Sequence, residues 1–135
     1  MCRRVIVDTS VWMYIVEKRL DPIEVLFSTY PPVCQVIIPD VVEKELELLA
    51  RESASRRGKN AAVALLLIKE MGVRNSSIIT HISIGEIYSD VDTVIINTAK
   101  QGGYVLATAD RRMKKLAEQK GVEVMFLRGA KGRLI

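Results

Sequence analysis

Twice in this chain a short β-prone run reaches an acid and turns at once into a helix, and that arrangement leaves few folds open. Arg3-Arg4-Val5-Ile6-Val7 ends in Asp8-Thr9-Ser10, and Val11-Trp12-Met13-Tyr14-Ile15-Val16 begins a longer apolar segment. Tyr104-Val105-Leu106-Ala107-Thr108 repeats the design, with Asp110 behind it and a helical stretch from Arg111 to Lys120 stopped by Gly121. Strands that alternate with helices need right-handed crossovers, which give a parallel sheet covered on both faces. In such a sheet the strands end on one edge, so Asp8 and Asp110 belong to the same edge.

The remaining segments fit this scheme. The pattern predicts strands at 3–8, 34–38, 104–108 and 122–127, and helices at about 10–19, 22–30, 40–53, 59–71, 90–101 and 110–120. A weakly patterned stretch separates the fourth helix from the fifth. The fold class is therefore α/β, a three-layer α/β/α domain around a central, mainly parallel, twisted sheet. All 135 residues belong to one domain, with 128–135 as a flexible basic tail. The polar stretch from Arg51 to Asn60 reads as a helix connection, either an ordinary solvated one or a mobile loop beside the strand-end edge.

Two more acids point inward. At about 100° per residue, Val41, Val42, Leu46, Leu48 and Leu49 share one arc, and Glu45 lies in the middle of it. In the next-to-last helix Val91, Val94, Ile95, Ile96 and Ala99 form an arc that contains Asp92. Asp40, with Glu43 three residues on, has the pattern of a capping box and reads as a helix cap. An inward carboxylate costs several kcal/mol unless it is paired. Four that converge would repel by roughly 4 kcal/mol per pair at ~4 Å and an effective dielectric near 20. A hard divalent cation such as Mg²⁺ or Mn²⁺ removes that cost, so Asp8, Glu45, Asp92 and Asp110 are the candidate metal ligands.

Composition narrows the class further. The chain is 49% hydrophobic, and its longest apolar run, Ala61 to Ile68, falls well short of the ~18 residues of a membrane span. Asp8 interrupts the amino-terminal apolar run too early for a signal peptide, which leads to the expectation of a cytoplasmic protein. Cys2 and Cys34 lack metal-ligand spacing and are expected to be reduced. The single His81 makes a zinc site a poor fit and is expected to be structural or at the surface. Residues 111–135 hold 8 Lys/Arg against 2 Asp/Glu, whereas residues 1–110 hold 12 against 14. Arg111, Arg112, Lys114 and Lys115 form one candidate phosphate-backbone surface, and Arg56, Arg57 and Lys59 with Arg51 form another; either is also ordinary solvated surface. No aromatic residue is interleaved with them in sequence to suggest base stacking.

Ligands of open parallel sheets bind beyond the carboxyl ends of the strands, where these acids gather. An acidic pocket repels phosphate unless a cation intervenes, and a cation held there polarises a phosphodiester and activates water. Metal-dependent phosphodiester hydrolysis is the chemistry to expect. Ser10 and Thr108 either orient that water or steady the ligands from behind, or else serve as a helix cap and a strand-end hydrogen bond.

Val5-Ile6-Val7-Asp8-Thr9-Ser10-Val11, Glu45-Leu46 after a strand and Pro39, Asp92-Thr93-Val94-Ile95 and Ala107-Thr108-Ala109-Asp110 together resemble the PIN-domain nucleases. The resemblance spans nearly the whole chain and implies a single-stranded RNA endonuclease that uses Mg²⁺ or Mn²⁺ held by the four acids. Gly121 to Gly129 and the basic Arg111 to Lys115 segment are most similar to the branch that processes small-subunit ribosomal RNA. The other branch, the VapC-type toxins, shares the acids. The same resemblance implies a homodimer, with Trp12 and Tyr14 as interface or core residues. It also implies a protein partner, either a ribosome-assembly factor or an antitoxin. Relatives often carry a further acid two residues after the one matched by Asp110, where this chain has Arg112. That departure keeps open a non-catalytic RNA-binding or assembly module, or a replacement ligand at Asp90. A phosphotransfer site fits less well, because Ser10 stands where a phosphatase would need its second acid, and no glycine-rich phosphate loop is present.

Overall fold

The computed structural model of the chain describes residues 2–29, 31–84, 90–128 and 133–134. Its sheet has six strands in the order β3-β2-β1-β4-β5-β6, formed by β1 (Arg3–Val7), β2 (Val33–Pro39), β3 (Ile79–Ile82), β4 (Val105–Thr108), β5 (Val124–Arg128) and β6 (Arg133–Leu134). The first five run parallel, and β6 is antiparallel to β5. The helices are α1 (Thr9–Glu17), α2 (Pro22–Phe27), α3 (Asp40–Ala50), α4 (Arg56–Arg74), α5 (Val91–Gly102) and α6 (Arg111–Gln119).

Both faces of the sheet are buried, as continuous apolar strands require. Val5, Ile6 and Val7 of β1, Val36, Ile37 and Ile38 of β2, and Leu106 and Ala107 of β4 are almost wholly out of solvent. Helices α1, α3 and α4 pack against one another, and α5 packs against α6. Right-handed crossovers put the connections running outward to β2 and β3 on one face and those to β4 and β5 on the other. The result is the three-layer α/β/α arrangement expected. β1 occupies the place where the strand order reverses, and a crevice opens there beyond the carboxyl ends of β1 and β4. No helix among the described residues is long and apolar enough to cross a membrane.

Several sequence expectations need correction. The weakly patterned stretch contains β3, whose four residues are too few to show a period, and which exists because β2 supplies its hydrogen-bonding edge. The helix connection read over Arg51 to Asn60 is shorter than expected: α4 starts at Arg56, capped by Ser55, whose Oγ accepts from Gly58 N at 2.9 Å and donates to Glu52 O at 2.9 Å. Gly58 is buried in that corner, and a Cβ there would collide with the Glu52 carbonyl and stand 2.9 Å from Leu49 O. Leu48, placed inward by the helical wheel, is 60% exposed. Trp12 is wholly buried in the core, so it cannot serve as a dimer contact.

Asp40 does not close a capping box. It is the first residue of α3, behind Pro39 at the cap position, and its carboxylate accepts from Ile84 N at 3.1 Å and Ser83 Oγ at 3.2 Å. Glu43 meets the exposed His81 instead, at 2.9 Å from Nδ1. Cys2 and Cys34, expected to be reduced, form a disulfide. Parallel pairing of β1 with β2 sets Arg3 opposite Val33 and brings the two cysteine Cα atoms to 5.4 Å, a proximity that 32 residues of separation conceal. The tail expected over 128–135 is partly sheet: Arg128 belongs to β5 and pairs with Arg133 of β6. Residues 129–132 and 135 lie outside the described residues.

Candidate active site

Asp8 is the residue between β1 and α1, and the sheet holds it in place through its own N–H, which donates to Ala107 O of β4 at 3.0 Å. Its side chain is 5% exposed. Ser10 Oγ donates to Asp8 Oδ2 at 2.8 Å, and Thr108 Oγ1 donates to the same oxygen at 2.9 Å. Each hydroxyl has one proton, so both being spent on Asp8 leaves each free to accept a backbone N–H. Ser10 Oγ accepts from Ala109 N at 2.9 Å, and Thr108 Oγ1 accepts from Asp110 N at 3.1 Å. Their mutual contact of 3.2 Å is then an approach of two acceptors. This network ties the turn after β1 to the turn after β4, and no described residue donates to Asp8 Oδ1.

The other acids arrive from different elements. Glu45 comes from the second turn of α3 and Asp92 from the first turn of α5, both half-buried, while Asp110 caps α6 by accepting from Arg112 N at 2.8 Å. All four, with Ser10, line a cleft of about 700 Å³ at the strand-order reversal. Their charges interact. Burial pushes the Asp8 carboxyl up to about 6; the two hydroxyl hydrogen bonds oppose the rise, and the fields of Asp92 and Glu45 add to it. Asp92 is raised by burial and then by Asp110, Glu45 and Asp90, against a lowering by Arg112. Asp90, offered above as a replacement ligand, is an exposed cap of α5 held below the usual carboxylate range by Thr93, whose N donates at 2.8 Å and Oγ1 at 3.1 Å.

Oxygen donors without a cation partner suit a hard divalent ion in chemistry. Thr9 Oγ1, buried at the floor of the same cleft with no hydrogen-bond partner among the described residues, adds a further orphaned oxygen. Among the described residues, however, no three acidic, His or Cys side chains converge closely enough to hold one ion together. A bound ion would need the side chains of Glu45, Asp92 and Asp110 to move inward, toward an Asp8 that the hydroxyls already hold.

Of the basic candidates, Arg56 and Arg57 line the cleft from the first turn of α4. Lys59, Arg111, Arg112, Lys114 and Lys115 do not; the Lys114 ammonium lies over the Phe126 ring, 5.1 Å from its centroid. Met13, Tyr14 and Glu17 also line the cleft and were missed as site residues. With Ser10 they are spaced 10, 13, 14, 17, the stripe of one helix face, and extending the helix face from Ser10 finds them.

The PIN like domain family model matches residues 5–130, and the chain belongs to that family. It is 30% identical over 130 residues to Ribonuclease VapC9 of Archaeoglobus fulgidus, an alignment covering 93% of this chain and 84% of that protein. Two solved structures share the fold at 22% identity. The PIN domain endonuclease Utp24 superposes with a TM-score of 0.73 over 97% of this chain and 90% of its own. A domain of a functionally unknown protein from Methanocaldococcus jannaschii gives 0.70 over 96% and 94%.

Proposed function

We propose that the protein is a metal-dependent endoribonuclease that hydrolyses phosphodiester bonds of single-stranded RNA, working in ribosomal or other RNA processing. One observation carries this reading: four acids from four elements line one cleft at the strand-order reversal, with Asp8 pushed up to about 6 by burial and by its acidic neighbours. Asp8, Glu45, Asp92 and Asp110 would hold Mg²⁺ or Mn²⁺. The ion supplies, when bound, neutralisation of the carboxylates, polarisation of the phosphodiester and a lowered pKa for water. Ser10 and Thr108 hold Asp8 Oδ2, which leaves Oδ1 turned to its ligand. Arg56 and Arg57 line the same cleft as the acids and would bind the phosphate backbone on either side of the scissile bond. Arg111, Arg112, Lys114 and Lys115 would extend that backbone contact outside the cleft.

The relationship to Ribonuclease VapC9 supports the ribonuclease reading and favours, as a second role, a toxin held in check by an antitoxin. Arg112, whose charge weighs on Asp92, favours a module that binds RNA without cutting it. Labelled single-stranded RNA incubated with Mn²⁺ separates these. Cleavage is expected in the wild type and should disappear on chelation and in Asp8→Asn and Asp92→Asn. Cleavage that persists in EDTA would exclude metal catalysis, and RNA bound intact under every condition would support the module. In parallel, Mn²⁺ at 100 times its Kd should stabilise the wild type by about 2.7 kcal/mol and leave Asp8→Asn unmoved.

A further inference from the structure

The cleft carries more than acids and arginines. Besides the carboxylates and Arg56 and Arg57, its lining includes the uncharged side chains Met13 and Tyr14 from α1 and Leu49 from α3, with Glu17 one turn further along α1. Asn60, one turn along α4 from the arginines, lines the same cleft, and its carboxamide has no partner among the described residues. Tyr14 is partly buried, packed against the core at the cleft wall, with the Lys18 ammonium 5.9 Å from its ring centroid, the outer limit of cation–π reach. Neither Arg56 nor Arg57 has an ion-pair partner among the described residues, although both sit at the end of α4 where the helix dipole disfavours cations. The corner at Gly58, which tolerates no side chain, fixes where α4 starts and so places both arginines on the cleft.

A ligand that matches this sequence of surfaces has an anion for the arginines and a flat uncharged ring for the wall. It also has a polar edge for an amide that both donates and accepts. That is one nucleotide.

We propose that Tyr14, with Met13 and Asn60 lining the same cleft, forms a nucleobase subsite that stacks one base of the strand next to the phosphate held by Arg56 and Arg57. The inference rests on the RNA reading above and deepens it. A base can lie on Tyr14 only if it has left its helix, so the subsite itself selects unpaired strands over duplex. Asn60 then confers a preference for the base whose edge it meets. The aromatic and basic residues that recognise the strand lie more than forty positions apart in sequence and are brought to one cleft only by the fold.

Binding of labelled RNA oligonucleotides tests this, measured in the Asp92→Asn background with Mn²⁺ so that the strand stays whole. Tyr14→Ala should weaken single-stranded RNA by about tenfold, the scale of one lost stack. Tyr14→Phe should bind as the parent does, since a phenyl ring stacks as well. Moving a single abasic site along the oligonucleotide should reveal one position at which the parent loses the same factor and Tyr14→Ala loses nothing further. The dependence on salt should be unchanged in Tyr14→Ala and shallower in Arg57→Ala, because only the second removes a phosphate contact. Tyr14→Phe falling as far as Tyr14→Ala, or an equal loss on every abasic strand, would overturn the subsite while leaving the RNA reading intact. A parent that binds no RNA would overturn both.

Discussion

The two edges of this sheet handle polar groups in opposite ways. At the amino edge Arg4, Gln35 and Thr80 form a cross-strand row whose side chains partner one another. The Arg4 guanidinium lies 4.6 Å from the centroid of the Tyr104 ring, and its Nε donates to Gln35 Oε1 at 3.1 Å. Gln35 Nε2 in turn donates to Thr80 Oγ1 at 2.6 Å, and the Cys2–Cys34 disulfide joins the starts of β1 and β2. The row runs from Tyr104, just before β4, across β1 and β2 to β3. At the carboxyl edge, acids gather with no cation beside Asp8, Asp8 is forced toward its protonated form, and Thr9 Oγ1 is orphaned. Acids gathered in one cleft with no cation beside the buried Asp8, opposite an edge whose polar row pairs with itself, mark where a ligand completes the structure.

The sharpest break in this contrast is chemical. Asp8→Asn keeps an oxygen to accept from Ser10 and Thr108 and removes the charge, so RNA cleavage should fall by more than about 100-fold, beyond the range seen when a supporting residue of a metal site is lost. Arg4→Ala, at the other edge, should cleave at the parental rate.

Next in size is the covalent tie. Reducing the disulfide, which closes a separation of 32 residues, should lower stability by about 3 to 4 kcal/mol in a denaturant titration, with cleavage unchanged at temperatures where the protein stays folded. A loss of cleavage without a loss of stability would show that the two edges are coupled.

The third prediction concerns pH in the metal-free protein. Asp8 is raised in the fold from 3.8 to about 6, so the folded state holds its proton more tightly than the unfolded chain does. Below both values the carboxyl is protonated in each state and carries no penalty. As pH rises the unfolded chain ionises first, and stability falls from about pH 4 to about pH 6, by on the order of 3 kcal/mol in all. The urea midpoint of the wild type should decline through that window, and Asp8→Asn should flatten the decline. A midpoint that rises there in both proteins would contradict the burial of an unpaired acid.

The smallest effect belongs to the amino-edge row. Gln35→Leu removes the part-buried hydrogen bond to Thr80 and the exposed one from Arg4 and should cost about 1 kcal/mol, with neither RNA binding nor cleavage altered.

The acids were legible because local rules govern them. Asp8 and Asp110 follow β-prone runs and precede helices, and a parallel sheet turns that local order into a shared edge. The helical wheel turned Glu45 and Asp92 inward on periodicity alone, although the same wheel misplaced Leu48, since the arc facing a partner is narrower than the arc of apolar residues. Ser10 and Thr108 were legible as neighbours of those acids, but their convergence on one oxygen of Asp8 was not. Tyr14 was readable only as an apolar residue, and Arg56 only as part of a charge cluster.

What the amino-acid order determined by itself was therefore the alternation of strand and helix, the parallel sheet and the acids at its carboxyl edge, all of which arise from interactions among residues a few positions apart. The tertiary structure alone decided the rest: the strand Ile79–Ile82 beside β2, the pairing of Cys2 with Cys34, the corner at Gly58, and the sharing of one cleft by Tyr14, Arg56 and Arg57. Each of these depends on which distant segments come to lie side by side, and chain periodicity carries no record of that choice.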